Sequence, residues 1–127
     1  MGAVGGVTRR HLEEHFSVAF EARTGKLPGA TRVVECDDLL IIRADETLTP
    51  KQGVLSAREP DLTAELSRTV LEELAHNDLW EIAAEQAGRP VTAVLADQSI
   101  DPDVAVVCFV LGDEDSGDPA GAWDRSR

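Results

Sequence analysis

The chain has 127 residues and a net charge of −12, from 24 acidic against 12 basic residues. That balance disfavours nucleic acid and anionic membrane surfaces, because both are held mainly by Lys and Arg. A hydrophobic fraction of 43% excludes a disordered chain, and an aromatic fraction of 4% leaves the core to Leu, Val, Ile and Ala.

This length argues for one domain, able to bury a core without disulfides or metal. Cys36 and Cys108 lie in apolar runs with no CxxC partner, so both are expected as small buried thiols suited to a reducing compartment. MGAVGGVTRRHLEE lacks the apolar centre of a signal peptide. The longest apolar run, Val104 to Leu111, falls short of the roughly 20 residues a membrane helix needs. The expectation is a cytoplasmic protein with no direct membrane insertion.

In chain order, residues 1–7 hold three glycines and are expected to be flexible. Thr8 offers an N-cap, and Leu12, Phe16, Ala19 and Phe20 form one stripe of a helix over about residues 9–23. Gly25 and the Leu27-Pro28-Gly29 loop end it. Thr31 to Cys36 and Leu39 to Ala44 read as a hairpin, with Asp37-Asp38 as a turn tolerant of left-handed backbone. Leu48-Thr49-Pro50-Lys51-Gln52 then carries an N-cap, a proline at the first helical position and a capping box. This helix runs to about Ala57. Asp61 is expected to cap the next, whose stripe is Leu62, Leu66, Val70 and Leu74, with Leu71 alongside.

A kink or break is expected at His76-Asn77-Asp78, with Asp78 capping a last helical segment that carries Leu79, Ile82 and Ala83 and stops at Gly88. Trp80 beside this stripe is expected in the core or an interface. Val91 to Asp97 and Val104 to Leu111 read as a second hairpin. The fold class is therefore α+β: a four-stranded, mainly antiparallel sheet from two hairpins, with helices packed on it, in the order α-β-β-α-α-β-β. The domain spans residues 8–111, and residues 112–127, with Trp123, are expected as a disordered acidic tail.

The last strand is apolar on both faces, and such a strand must be covered on both. Helices can cover one side of the sheet. The expectation for the other is a second copy of the chain, through the free face or a shared edge. The expected interface residues are Val104, Val106, Val107, Phe109, Leu40 and Ile42. The competing arrangement is a monomer, with the first helix on one face and the later helices on the other.

The sharpest catalytic pattern is HLEEH, His11 to His15, an HxxEH arrangement. On a helix His11 and His15 lie on one face at a spacing that suits zinc, and Glu14 could polarise a water. No third ligand stands at a telling spacing, so the pattern is a weak candidate metal site. His76 reads as a helix C-terminal cation. Asp97, Asp101 and Asp103 surround the last loop and are more simply solvated than metal-bound. GxSxG, GxGxxG and Walker A patterns are absent, and no cofactor is expected.

Several stretches resemble the MpsC family: Thr24-Gly25-Lys26-Leu27-Pro28, Asp37-Asp38, Leu40-Ile41-Ile42-Arg43, Leu48-Thr49-Pro50, Glu72-Glu73-Leu74, Gly88-Arg89-Pro90-Val91, and Val106 to Leu111. The resemblance covers about residues 8–111 and rests on turns, caps and strands. It implies association with a membrane system described as sodium-translocating and linked to inorganic-carbon uptake. It supplies no catalytic residues. The functional expectation is a noncatalytic, self-associating accessory or regulatory protein, a dimer beside a membrane transporter subunit. The alternative is a small metal-dependent enzyme using His11 and His15.

Overall fold

A computed structural model describes residues 6–113. The expected acidic tail, but for its first two residues, and residues 1–5 of the expected flexible segment lie outside these described residues. Helix α1 (Gly6–Thr24) leads into strands β1 (Thr31–Cys36) and β2 (Leu39–Asp45). Helices α2 (Pro50–Ser56) and α3 (Pro60–Leu74) follow. A π-helical turn (Ala75–Leu79) joins α3 to α4 (Trp80–Ala87), and strands β3 (Val91–Ser99) and β4 (Val104–Leu111) close the domain. The sheet order is β1-β2-β4-β3, with every neighbouring pair antiparallel. The α+β class and the element order are those the sequence predicts.

Local signals account for most of the boundaries. Asp37 takes φ 51° in the first hairpin turn, which Asp tolerates better than most residues. Thr49 accepts from the Gln52 amide while the Gln52 side chain accepts from the Thr49 amide at 2.8 Å, so the capping box is complete. Gly88 stops α4 at φ 71°, a conformation costly for residues with a Cβ.

Four expectations differ from the structure. α1 begins at Gly6, before Thr8, so Thr8 lies within the helix. Glu59, not Asp61, precedes α3, with Pro60 in its first turn. Pro at that position loses nothing, because the amide it lacks would be unpaired there. At His76-Asn77-Asp78, where a kink or break is expected, the helical path continues and widens into the π turn, an irregularity at the expected place. Asp78 caps nothing and instead accepts from Arg23 of α1 at 2.8 Å.

The fourth difference concerns the buried stripe of α3. Thr63, Ser67, Leu71 and Leu74 face inward, whereas Leu62 and Leu66 are 42% and 47% exposed. Burial continues through Ala75, Leu79, Ala83 and Ala87. Each step of four overshoots a helical turn by about 40°, and the wider π turn takes up part of that drift.

The core lies between the helices and one face of the sheet. Leu12, Phe16 and Phe20 of α1 meet Val33, Leu40, Ile42, Ala44, Ala105, Val107, Phe109 and Leu111 of the sheet. α1 contacts both α3 and α4, which the π turn joins, so they form one layer. The arrangement with α1 and the later helices on opposite faces is therefore not the one adopted.

Candidate functional site

Strand alternation sends every second residue to the side away from the helices. Three rows cross that side. The registers align Arg32, Arg43, Val106 and Asp97; then Val34, Ile41, Cys108 and Leu95; then Cys36, Leu39, Val110 and Ala93. Val34 is 46% and Leu95 61% exposed. No described helix covers this face. The surface carries two apolar rows and one charged row across all four strands, and a shorter row of Asp45, Val104 and Ser99 beside the charged one.

The six expected interface residues divide between the two faces. Val104 and Val106 lie on the open side. Leu40, Ile42, Val107 and Phe109 are buried beneath the helices, each 0–1% exposed, and are core residues of the single chain. They reached the expected set because both faces of β2 and β4 are apolar. Sequence reasoning missed Val34, Ile41, Leu39 and Leu95 on the open face. Leu95 was discoverable, since β3 alternates Ala93, Leu95 and Asp97 outward against Val94 and Ala96 inward.

Both thiols also lie on the open side. Cys36 is exposed and Cys108 half-buried, so neither is the fully buried thiol the apolar runs suggest. Burial pushes the Cys108 thiol up, away from the thiolate form.

The HxxEH pattern does form a helical pair. His11 Nε2 and His15 Nε2 approach to 3.0 Å, and Gln86 Nε2 lies 3.3 Å from His11 Nδ1. A shallow depression of about 230 Å³ is lined by His11, Glu14, His15 and Val18. Among the described residues, no group of three or more His, Cys, Asp or Glu is arranged to hold a metal ion. Glu13, the neighbouring carboxylate, accepts from the Val33 amide at 3.1 Å and so occupies an edge donor of β1.

The acidic last loop is also built rather than merely solvated. Asp103 accepts from the Thr47 amide and hydroxyl, each at 3.0 Å, from the Leu48 amide at 3.1 Å and from Gln98 Nε2 at 3.2 Å. Buried Gln98 accepts from the Ser67 hydroxyl at 2.7 Å, and its Oε1 lies 2.9 Å from the Thr47 hydroxyl, whose single proton is shared between Gln98 and Asp103. The cluster ties the β3–β4 turn to α3 and to the chain entering α2. With its oxygens engaged by protein donors, Asp103 has a structural role.

The turn and cap residues likewise join separate elements. Arg89 donates to the Gly112 carbonyl at 2.8 Å, the Asp37 carbonyl at 2.9 Å and the Asp38 carboxylate at 2.8 Å. The Lys26 ammonium donates to the carbonyls of Leu27 and Glu46. Arg23 pairs with Asp78 and, at 3.6 Å, with Glu73. The hydrogen bond to Asp78 raises the Arg23 guanidinium above its ordinary pKa.

No curated protein and no solved structure matches the chain. A family model does match, described as "Na+-translocating membrane potential-generating system (MpsC)", and it spans residues 6–113. Those are the residues of the helix layer, the sheet and the ties between them, and the chain belongs to the MpsC family.

Proposed function

We propose that this chain is a noncatalytic accessory or regulatory protein that associates with itself and works beside a membrane system translocating ions or bicarbonate. The observation that carries this reading is the open sheet face, where apolar rows lie uncovered across four strands. Large uncovered apolar surfaces mark sites of protein association. The family description supplies the link to sodium translocation. Among the described residues, no helix is long and apolar enough to cross a membrane, and in this reading the chain acts from the cytoplasm through an integral partner. Val54, Leu62 and Leu66, exposed on α2 and α3, add a second apolar surface on the helical side.

The test is affinity capture of the tagged full chain from native cytosol and from detergent-solubilised membranes. An integral transport subunit is expected in the membrane fraction, together with untagged copies of the chain. Recovery of the chain alone from both fractions would remove the transporter link.

The second reading is a metal-dependent enzyme centred on His11 and His15. The 3.0 Å approach of their ring nitrogens favours it, because two nitrogens so placed can share one ion. Metal analysis of untagged protein separates the two readings. Substoichiometric zinc is expected, and one tightly held zinc per chain would favour the enzyme.

A further inference from the structure

The charge pattern of the open face points to its occupant, and this rests on the self-association proposed above. We infer that a second copy of the chain stacks on this face about a two-fold axis parallel to the strands.

The charged row carries Arg32 and Arg43 on the β1–β2 side and Asp97 on β3. An axis running along the strands, between β2 and β4, places β1 over the partner's β3 and β2 over the partner's β4. Residues of one row then meet the same row in reverse order. Arg32 stands opposite the partner's Asp97, and Asp97 opposite the partner's Arg32. In the next row Leu95 meets the partner's Val34, and Ile41 meets the partner's Cys108. Apolar rows meet apolar rows, and the two ends of the charged row complement each other, while Arg43 stands over the partner's Val106 and keeps its in-chain partner Asp45 at 3.1 Å.

An axis perpendicular to the strands through the middle row reverses the order of rows instead. It buries Arg32 and Asp97 against the apolar row of Leu39 and Val110, without charged partners. Leaving desolvated charges unpaired is costly, so the parallel axis is favoured. Sheets stacked about 10 Å apart and rotated by about 30° keep edge arginines within reach of facing carboxylates.

Local charge balance supports the match. A chain at −12 is poorly disposed to meet itself, yet the open face is locally balanced: Arg32 and Arg43 against Asp45 and Asp97. Four strands about 4.8 Å apart and about 23 Å long present a face of roughly 400–500 Å² per copy. That is roughly 800–1,000 Å² in total, in the range of weak, transient contacts, so association in the micromolar range or weaker is expected.

The experiment measures molar mass by light scattering behind a sizing column, across a concentration series of the full chain. Wild type is expected at twice the 13.7 kDa chain mass. Arg32→Glu and Asp97→Arg are each expected to weaken association by about tenfold or more, since each creates two like-charge contacts per dimer. Mixing the two variants, or combining both changes in one chain, is expected to restore it, because either route rebuilds opposite charges across the axis. Both side chains are exposed, and an unchanged circular dichroism spectrum checks the fold of each variant.

Three results would overturn the proposal, and they are distinguishable. A 13.7 kDa species throughout the series up to about 1 mM would remove self-association altogether. A dimer indifferent to both charge reversals and to Leu95→Glu would keep self-association but place the contact elsewhere. Weakening by both single changes without rescue on mixing would likewise exclude this axis.

Discussion

Phe109→Ala is expected to lower the unfolding free energy by about 3–5 kcal/mol, the usual range for removing a buried aromatic ring. Phe109 is 0% exposed on β4, opposite Leu40 and Val94 across the sheet and beneath the helices. A domain of this size has about 5–15 kcal/mol in total, so the loss is a large share. The melting temperature should fall by about 15 °C or more. The informative control is Val106→Ala, one strand face away and on the open side. Its intrinsic cost should stay within about 1 kcal/mol, measured at concentrations below dimer formation. Urea denaturation of both variants reads the difference. Equal costs would mean that the two faces of β4 are not divided between core and surface as described.

Asp103→Ala is expected to cost about 2–3 kcal/mol, because one carboxylate serves four donors. Its loss leaves the buried Thr47 hydroxyl bonded only to Gln98 and frees the Thr47 and Leu48 amides. Asp103→Asn should cost roughly half as much, since the remaining amide oxygen can still accept but its nitrogen faces a donor. Asp101→Ala, at an exposed position of the same loop, is expected to stay within about 0.5 kcal/mol. Chemical denaturation again provides the measurement. A cost for Asp103→Ala no greater than that of Asp101→Ala would return the loop to a simply solvated acidic cluster.

These contrasts show which parts of the molecule are local properties of the chain. The capping box at Thr49 and Gln52, the turn at Asp37, the stop at Gly88 and the strand runs were all legible, because each depends on residues within a few positions. The inward stripe of α1 was equally plain, since Leu12, Phe16 and Phe20 are large and their neighbours polar. In the first half of α3 the same spacing rule pointed to the wrong face, while Leu71 and Leu74 lie inside as expected. The Leu62–Leu66 and Thr63–Ser67 stripes share a step of four, and the leucines are the more apolar. Ser67 is inside because Gln98, distant in sequence, supplies its hydrogen-bond partner. Thr63 is inside because its hydroxyl donates to the Glu59 carbonyl at 2.9 Å.

The candidate site divides in the same way. Residue identities alone showed that β2 and β4 are apolar on both sides and that one side would need covering beyond the first helix layer. They could not show which side, since Leu40 and Ile41 are equally suited to either. That choice was made by where α1, α3 and α4 pack together, and it sent Leu40, Ile42, Val107 and Phe109 into the core. The charged row is likewise invisible along the chain: Arg32, Arg43, Asp97 and Val106 become neighbours only through the sheet register. The elements, their caps and the two-sided apolar strands follow from residue identities, because propensity and capping act over short range. Which face stays open, and what pattern it presents, rests on packing and register, because burial depends on contacts between distant segments.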